Sequence, residues 1–163
     1  MQIKMRQICL LAMVAVAVVA LGNTVAAQVN PQAFGTWKLN LAKSKYTAGV
    51  APKSVTFVTV AAGAGLTVTV DAVAGNGTAQ HWGYTANNDG KDNPVTGNSA
   101  NGDMVARTLV DASTTRMVYK KAGKVTVTQT VVLSSDGKTT TITAKGTSAT
   151  GQPVDNVAVY DKQ

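Results

Sequence analysis

Long stretches of this chain alternate, residue by residue, between aliphatic side chains and threonine. In LTVTVDA, Leu66, Val68, Val70 and Ala72 fall on one face, and Thr67, Thr69 and Asp71 fall on the other. In VTVTQTVVL, Val125, Val127, Val131 and Leu133 share a face interrupted by Gln129, with Thr126, Thr128 and Thr130 opposite. A period of two belongs to strands, because successive side chains on a strand point to opposite sides. β-Branched residues also suit a pleated surface. A Val face backed by a Thr face describes a sheet with one side buried and one side wet.

Turn signals punctuate these runs: Asn76-Gly77, Asp89-Gly90, Asn101-Gly102, Ala122-Gly123 and Asp136-Gly137. Asn-Gly and Asp-Gly supply the positive φ angles of tight hairpins. The pattern predicts strands near 35–41, 54–61, 65–73, 78–86, 92–96, 103–110, 115–121, 124–134, 138–146 and 153–161. The fifth is the weakest, because Pro94 cannot donate to a ladder. Strands joined in sequence by short turns make a meander, and closing a meander removes its two open edges. The expected fold is all-β, an antiparallel up-and-down barrel of about 8–10 strands. A two-sheet sandwich is the alternative served by the same alternation.

The first residues are of a different kind. Lys4 and Arg6 precede an apolar run from Ile8 to Gly22, too short for a typical membrane-spanning helix. Small residues, Val25-Ala26-Ala27, follow it. A basic start, a short apolar core and a small-residue site make a secretory signal peptide. Residues 1–27 are therefore expected to leave, with 28–163 forming one barrel domain in the periplasm or outside the cell. The cut removes Cys9, the one cysteine, so the mature domain relies on its core rather than on disulfides. No transmembrane segment is expected in the mature chain.

Without Lys4 and Arg6, 13 bases face 8 Asp, a net charge of +5, and the chain has no Glu. The bases are scattered; the densest group is Lys120, Lys121 and Lys124, read as a solvated hairpin turn. No aromatic-basic face stands out, and nucleic acid is not an expected partner. His81 is the one histidine, too few ligands for an ordinary zinc site, and it reads as a strand residue facing solvent or a polar lumen. The stretch NNDGKDN, Asn87 to Asn93, has clustered oxygens but no later Glu for a calcium loop, and a hairpin turn accounts for it. No metal or cofactor is expected.

The candidate binding residues are Trp82, Tyr84, Arg107 and Tyr119. Trp82 and Tyr84 share one strand face, and Met117 and Tyr119 share another, so these aromatics can line a barrel cavity. Arg107 depends on register. If Val105, Arg107 and Leu109 point inward, a cation stands inside the barrel, able to hold a carboxylate or phosphate. If Met104, Ala106, Thr108 and Val110 do, Arg107 is an ordinary exposed residue. The second set is at least as apolar and weighs towards the outward register; a slip of one residue exchanges the two.

Gly35-Thr36-Trp37 resembles the Gly-x-Trp signature on the first strand of lipocalins and other calycins. With GTWKLNLAKSKY, APKSV, DGKDNPVTGN and NVAVYDK, the chain resembles small exported bacterial lipocalin-like proteins. The resemblance implies a barrel in which Trp37 plugs one end and Gly35 permits close backbone approach. It carries over no activity and no ligand. Three features of true lipocalins are missing: a Thr-Asp-Tyr motif, an Arg late enough to stack on the Trp, and a C-terminal helix after Tyr160.

No acid–base pair or nucleophile motif stands out, so a non-catalytic protein is expected. The first reading is an exported barrel that binds a small, partly apolar or anionic molecule. The alternative is a non-binding envelope or interaction module. An internal cavity of about 300 Å³ or more separates them. Oligomeric state is not legible in the sequence.

Overall fold

A computed structural model describes residues 29–46 and 51–163; the expected leader at 1–27 lies outside the described residues. The strands are β1 (Gly35–Leu39), β2 (Lys45–Tyr46), β3 (Ser54–Ala62), β4 (Gly65–Val73), β5 (Ala79–Ala86), β6 (Asp89–Pro94), β7 (Thr96–Gly97), β8 (Met104–Leu109), β9 (Thr114–Lys121), β10 (Lys124–Leu133), β11 (Thr139–Thr147) and β12 (Pro153–Lys162). Two short 3-10 turns, Pro31–Ala33 and Leu41–Lys43, flank β1.

All twelve strands join one antiparallel sheet, in the order β6-β8-β9-β10-β11-β12-β1-β3-β4-β5-β7, with β2 set against β12. The two ends of that order, β6 and β7, are neighbours in the chain with Val95 alone between them. The sheet is thus a nearly closed up-and-down barrel. Counted as one bent stave, β6 and β7 bring the wall to ten.

The weak fifth strand is that bent stave. Pro94 is the last residue of β6, opposite Met104 of β8. The stave then changes partner: Val95 N–H donates to Asp103 C=O at 2.8 Å, and Thr96 and Gly97 pair with Gly83 and Trp82 of β5. A proline is tolerated where the ladder switches sides, since no bond is expected from its nitrogen there. Gly97, at φ +86°, lies so close to the His81 carbonyl that a Cβ would collide with backbone.

Two expectations are corrected. The segment between the first two predicted strands holds β2, which continues along β12 where β1 stops: Tyr46 lies opposite Asn156. Val125 does not line the interior and is 61 % exposed. A bulge between Val125 and Thr128 puts an extra residue into β10 against β9, which reverses the parity of everything before it. Gln129 takes an inward place in the row with Val127, Val131 and Leu133.

Trp37 is 0 % exposed, and Lys38 beside it points outward. The indole stacks on Phe57, with centroids 6.1 Å apart, and Phe57 meets Tyr160 edge-on at 4.9 Å. Trp37 Nε1–H donates to the Ala33 carbonyl at 3.1 Å. A cation does stand over the indole: Lys162 Nζ lies 5.3 Å from the ring centroid and donates to the Gln32 carbonyl at 2.8 Å. Gly35 makes room for it. Its φ of +125° suits glycine, and a Cβ would come within 3.1 Å of the Lys162 stem. The segment before β1 is tied to the same end of the barrel: Asn30 Nδ2 donates to Ala112 C=O at 3.2 Å, and Thr59 Oγ1 donates to Ala33 C=O.

Truncating a large buried aromatic costs about 3–5 kcal/mol. Trp37→Ala is expected to lose that much in chemical denaturation; a midpoint that barely moves would show that the ring is not a core element. A second outcome concerns the β9–β10 turn, where Ala122 stands at φ +48° before Gly123 at +77°. A left-handed alanine costs about 1–2 kcal/mol, against which glycine adds about 0.4–1 kcal/mol of unfolded-state entropy. Ala122→Gly should raise stability by up to about 1 kcal/mol; a lower urea midpoint would refute the strain.

Candidate functional site

Closing ten staves leaves an interior that its own side chains do not fill. A cavity of about 360 Å³ runs along the barrel. At the capped end it meets Val29, Ala33, Leu109 and Leu133; at the other it meets Tyr46, Pro52, Ala100 and Val154. Two buried clusters form most of the wall, one around Val68, Val105, Met117 and Val127, the other around Trp37, Leu133, Ala158 and Tyr160.

Alternation on the strands decides which residues reach this space. On β5 it turns Trp82 and Tyr84 inward; on β9 it does the same for Thr115, Met117 and Tyr119. On β8 the register is the less expected one: Val105, Arg107 and Leu109 face the lumen, while Thr108 and Val110 do not line it. Arg107 lies opposite Met117 of β9, so its side chain is carried inward beside that sulfur. Pairing with two neighbours outweighs the slightly more apolar character of the rejected face.

The four predicted residues come together on one side of the lumen. Trp82 stacks on Tyr84 with centroids 6.3 Å apart and meets Tyr119 edge-on at 6.2 Å. Arg107, 7 % exposed, donates from Nη1 to the Tyr84 hydroxyl at 3.1 Å and to Met117 Sδ at 3.8 Å. Its Nε–H reaches Asn88 Oδ1 at 3.3 Å. The Tyr84 hydroxyl in turn points at the same sulfur, 3.8 Å away. Gly35 and Trp37 belong to the other wall, where they act as the architectural pair described above.

Asn88 is the residue that sequence reasoning missed. It sits between β5 and β6, in the NNDGKDN stretch expected to form a hairpin turn; β5 and β6 are not paired with each other, and Asp89-Gly90 begins β6. Its Nδ2 is buried with no hydrogen-bond partner. Asn156 Oδ1, on β12, is the other buried polar atom left unpaired among the described residues. Lys162 is a second omission: the chain has no late arginine to stack on Trp37, yet a lysine supplies the same cation–π attraction.

Six of the eight aspartates stand in ion pairs on the outer surface. Lys120 meets Asp92 at 2.7 Å and Lys121 meets Asp103 at 3.3 Å, so the basic hairpin is largely neutralised. His81 stands on the exposed outer surface, 2.7 Å from Asp71. Among the described residues, no three His, Cys, Asp or Glu side chains come together as a metal site, and no helix is long and apolar enough to cross a membrane.

Compared with family models, curated proteins and solved structures, the chain matches none.

Burial drives the phenols of the lumen upward. Tyr119 is raised well above its ordinary value, first by desolvation and then by the Tyr84 hydroxyl, with Arg107 opposing. Tyr160 is raised by desolvation, with Tyr46 adding to it. A raised folded value means the native barrel keeps protons that the unfolded chain releases. The stability from this is full below about pH 10 and is lost as pH rises towards the folded values. Denaturation midpoints should therefore fall progressively above about pH 10, and Tyr119→Phe should flatten that fall. A midpoint independent of pH across that range would contradict the burial of both rings.

Proposed function

We propose that the chain is an exported, non-catalytic, lipocalin-like barrel that binds a small, partly apolar molecule in its lumen. The observation that carries this reading is the 360 Å³ cavity, lined mainly by aliphatic and aromatic side chains with a few convergent polar groups. Small-molecule sites share that make-up, and their volumes begin at about 300 Å³. A lumen filled by its own side chains would instead favour the non-binding module. The placement of His81 on the outer surface, away from the lumen, favours a non-catalytic lumen. Lys4, Arg6, the apolar run and Val25-Ala26-Ala27 support export.

Native mass spectrometry of the protein from its own source tests both parts. The expected mass is that of a chain starting near Gln28, carrying a small-molecule adduct. A chain starting at Met1 in exported material would overturn export. Protein that carries no adduct and takes up no neutral fluorescent dye, such as N-phenyl-1-naphthylamine, would overturn binding.

A further inference from the structure

The lumen holds one charged side chain, Arg107, and no Asp or Glu lines the wall with it. None of the ion pairs of the described residues involves it. An arginine stays protonated at any ordinary pH, and a buried charge without a counterion is costly. Its neighbours use part of its capacity. Nε donates to Asn88, and Nη1 donates to Tyr84 and Met117. Nη2 is bonded to no described residue. The bond from Nε also settles how the Asn88 amide is turned: its oxygen faces the guanidinium, which leaves the buried Nδ2 with nothing to bond. Two unpaired donors and one uncompensated positive charge thus stand together in a chamber whose other lining groups are apolar or neutral polar.

We infer that the lumen takes an amphipathic monocarboxylate, its head paired with Nη2 of Arg107 and Nδ2 of Asn88. This rests on the reading of the lumen as a ligand site and adds the chemical class. The charge count selects a monoanion: a dianionic phosphate ester would leave one negative charge unmatched, since no second cation lines the lumen. With Nη1 already committed, the guanidinium offers one free nitrogen, and the amide supplies the second donor for a two-oxygen head. Asn88 sits at the capped end, so the apolar part of the molecule runs past Trp82 and Tyr119 towards Val55, Ala72 and Val154. Both unpaired donors then have an acceptor, and every methylene removed from water adds to the affinity.

Displacement of N-phenyl-1-naphthylamine from the protein purified from its own source, by decanoate, decanol and decyl phosphate, tests the class. A charge-assisted hydrogen bond contributes about 1.5–3 kcal/mol, so decanoate should bind roughly ten- to a hundredfold tighter than decanol. Arg107→Met should erase that preference while keeping the dye, and Asn88→Ala should reduce it. Decanol equal to decanoate in the wild type, or decyl phosphate tighter than decanoate, overturns the inference while leaving the lumen a binding site. Failure of the dye itself to bind sinks the broader reading. If Arg107→Met does not fold, the wild-type ratio and Asn88→Ala decide the matter unaided.

Discussion

Every strand in this molecule needs a neighbour on each side, and the whole structure depends on the last strand finding the first. β12 pairs with β1 over Lys162, Asp161 and Tyr160, and with β2 where β1 has ended. β1 pairs onward with β3 from Gly35 to Lys38. Without that joint the meander from β3 to β12 would keep open edges, whose unpaired backbone groups invite pairing with other chains. Trp37 sits at the joint. Its neighbours come from three separated parts of the chain: Ala33 before the strand, Phe57 on β3, and Tyr160 and Lys162 on β12. One buried indole therefore ties the beginning of the barrel to its end, and the glycine two residues earlier gives the closing lysine its place.

The opposite side of the ring closes by a different device. β6 and β7 are too irregular to run as one straight stave, so the chain bends at Pro94 and Val95 and pairs first with β8, then with β5. The bend keeps β5 and β8 close enough for Tyr84 and Arg107 to meet across the stave between them. The seam that completes the wall thus also assembles the polar cluster inside it. Arg107 is the one charge in an interior otherwise built from apolar and neutral polar groups, and no neighbouring carboxylate offsets it. A fold selected for stability alone has little reason to keep such a residue there.

Much of this architecture is legible in the sequence. Strand positions follow from the alternation of Val and Thr, and the turns at Asn76-Gly77, Ala122-Gly123 and Asp136-Gly137 from their glycines, because both signals are local; Asp89-Gly90, expected as a turn, instead begins β6. Trp37 inside and Lys38 outside follow from neighbours on a strand facing opposite ways. The misreadings have one cause in common. Val125 is inward by parity, and a bulge reverses it. Asn88 has the chemistry of a turn, and its amide reaches the interior. Each depends on how one strand is shifted against another, which no single segment encodes.

Local patterning along the chain is enough for the all-β class, the order of the hairpins and the set of side chains available to an interior. The tertiary structure alone decided which face of β8 became that interior. Both faces of DMVARTLV are apolar enough to be buried, so burial energy scarcely distinguishes them. Pairing with β6 and β9 chose between them, and that choice carried Arg107 beside Tyr84, Met117 and Asn88. Periodicity is a property of one strand, whereas register is a property of two, and only closure of the ring fixes all the registers at once.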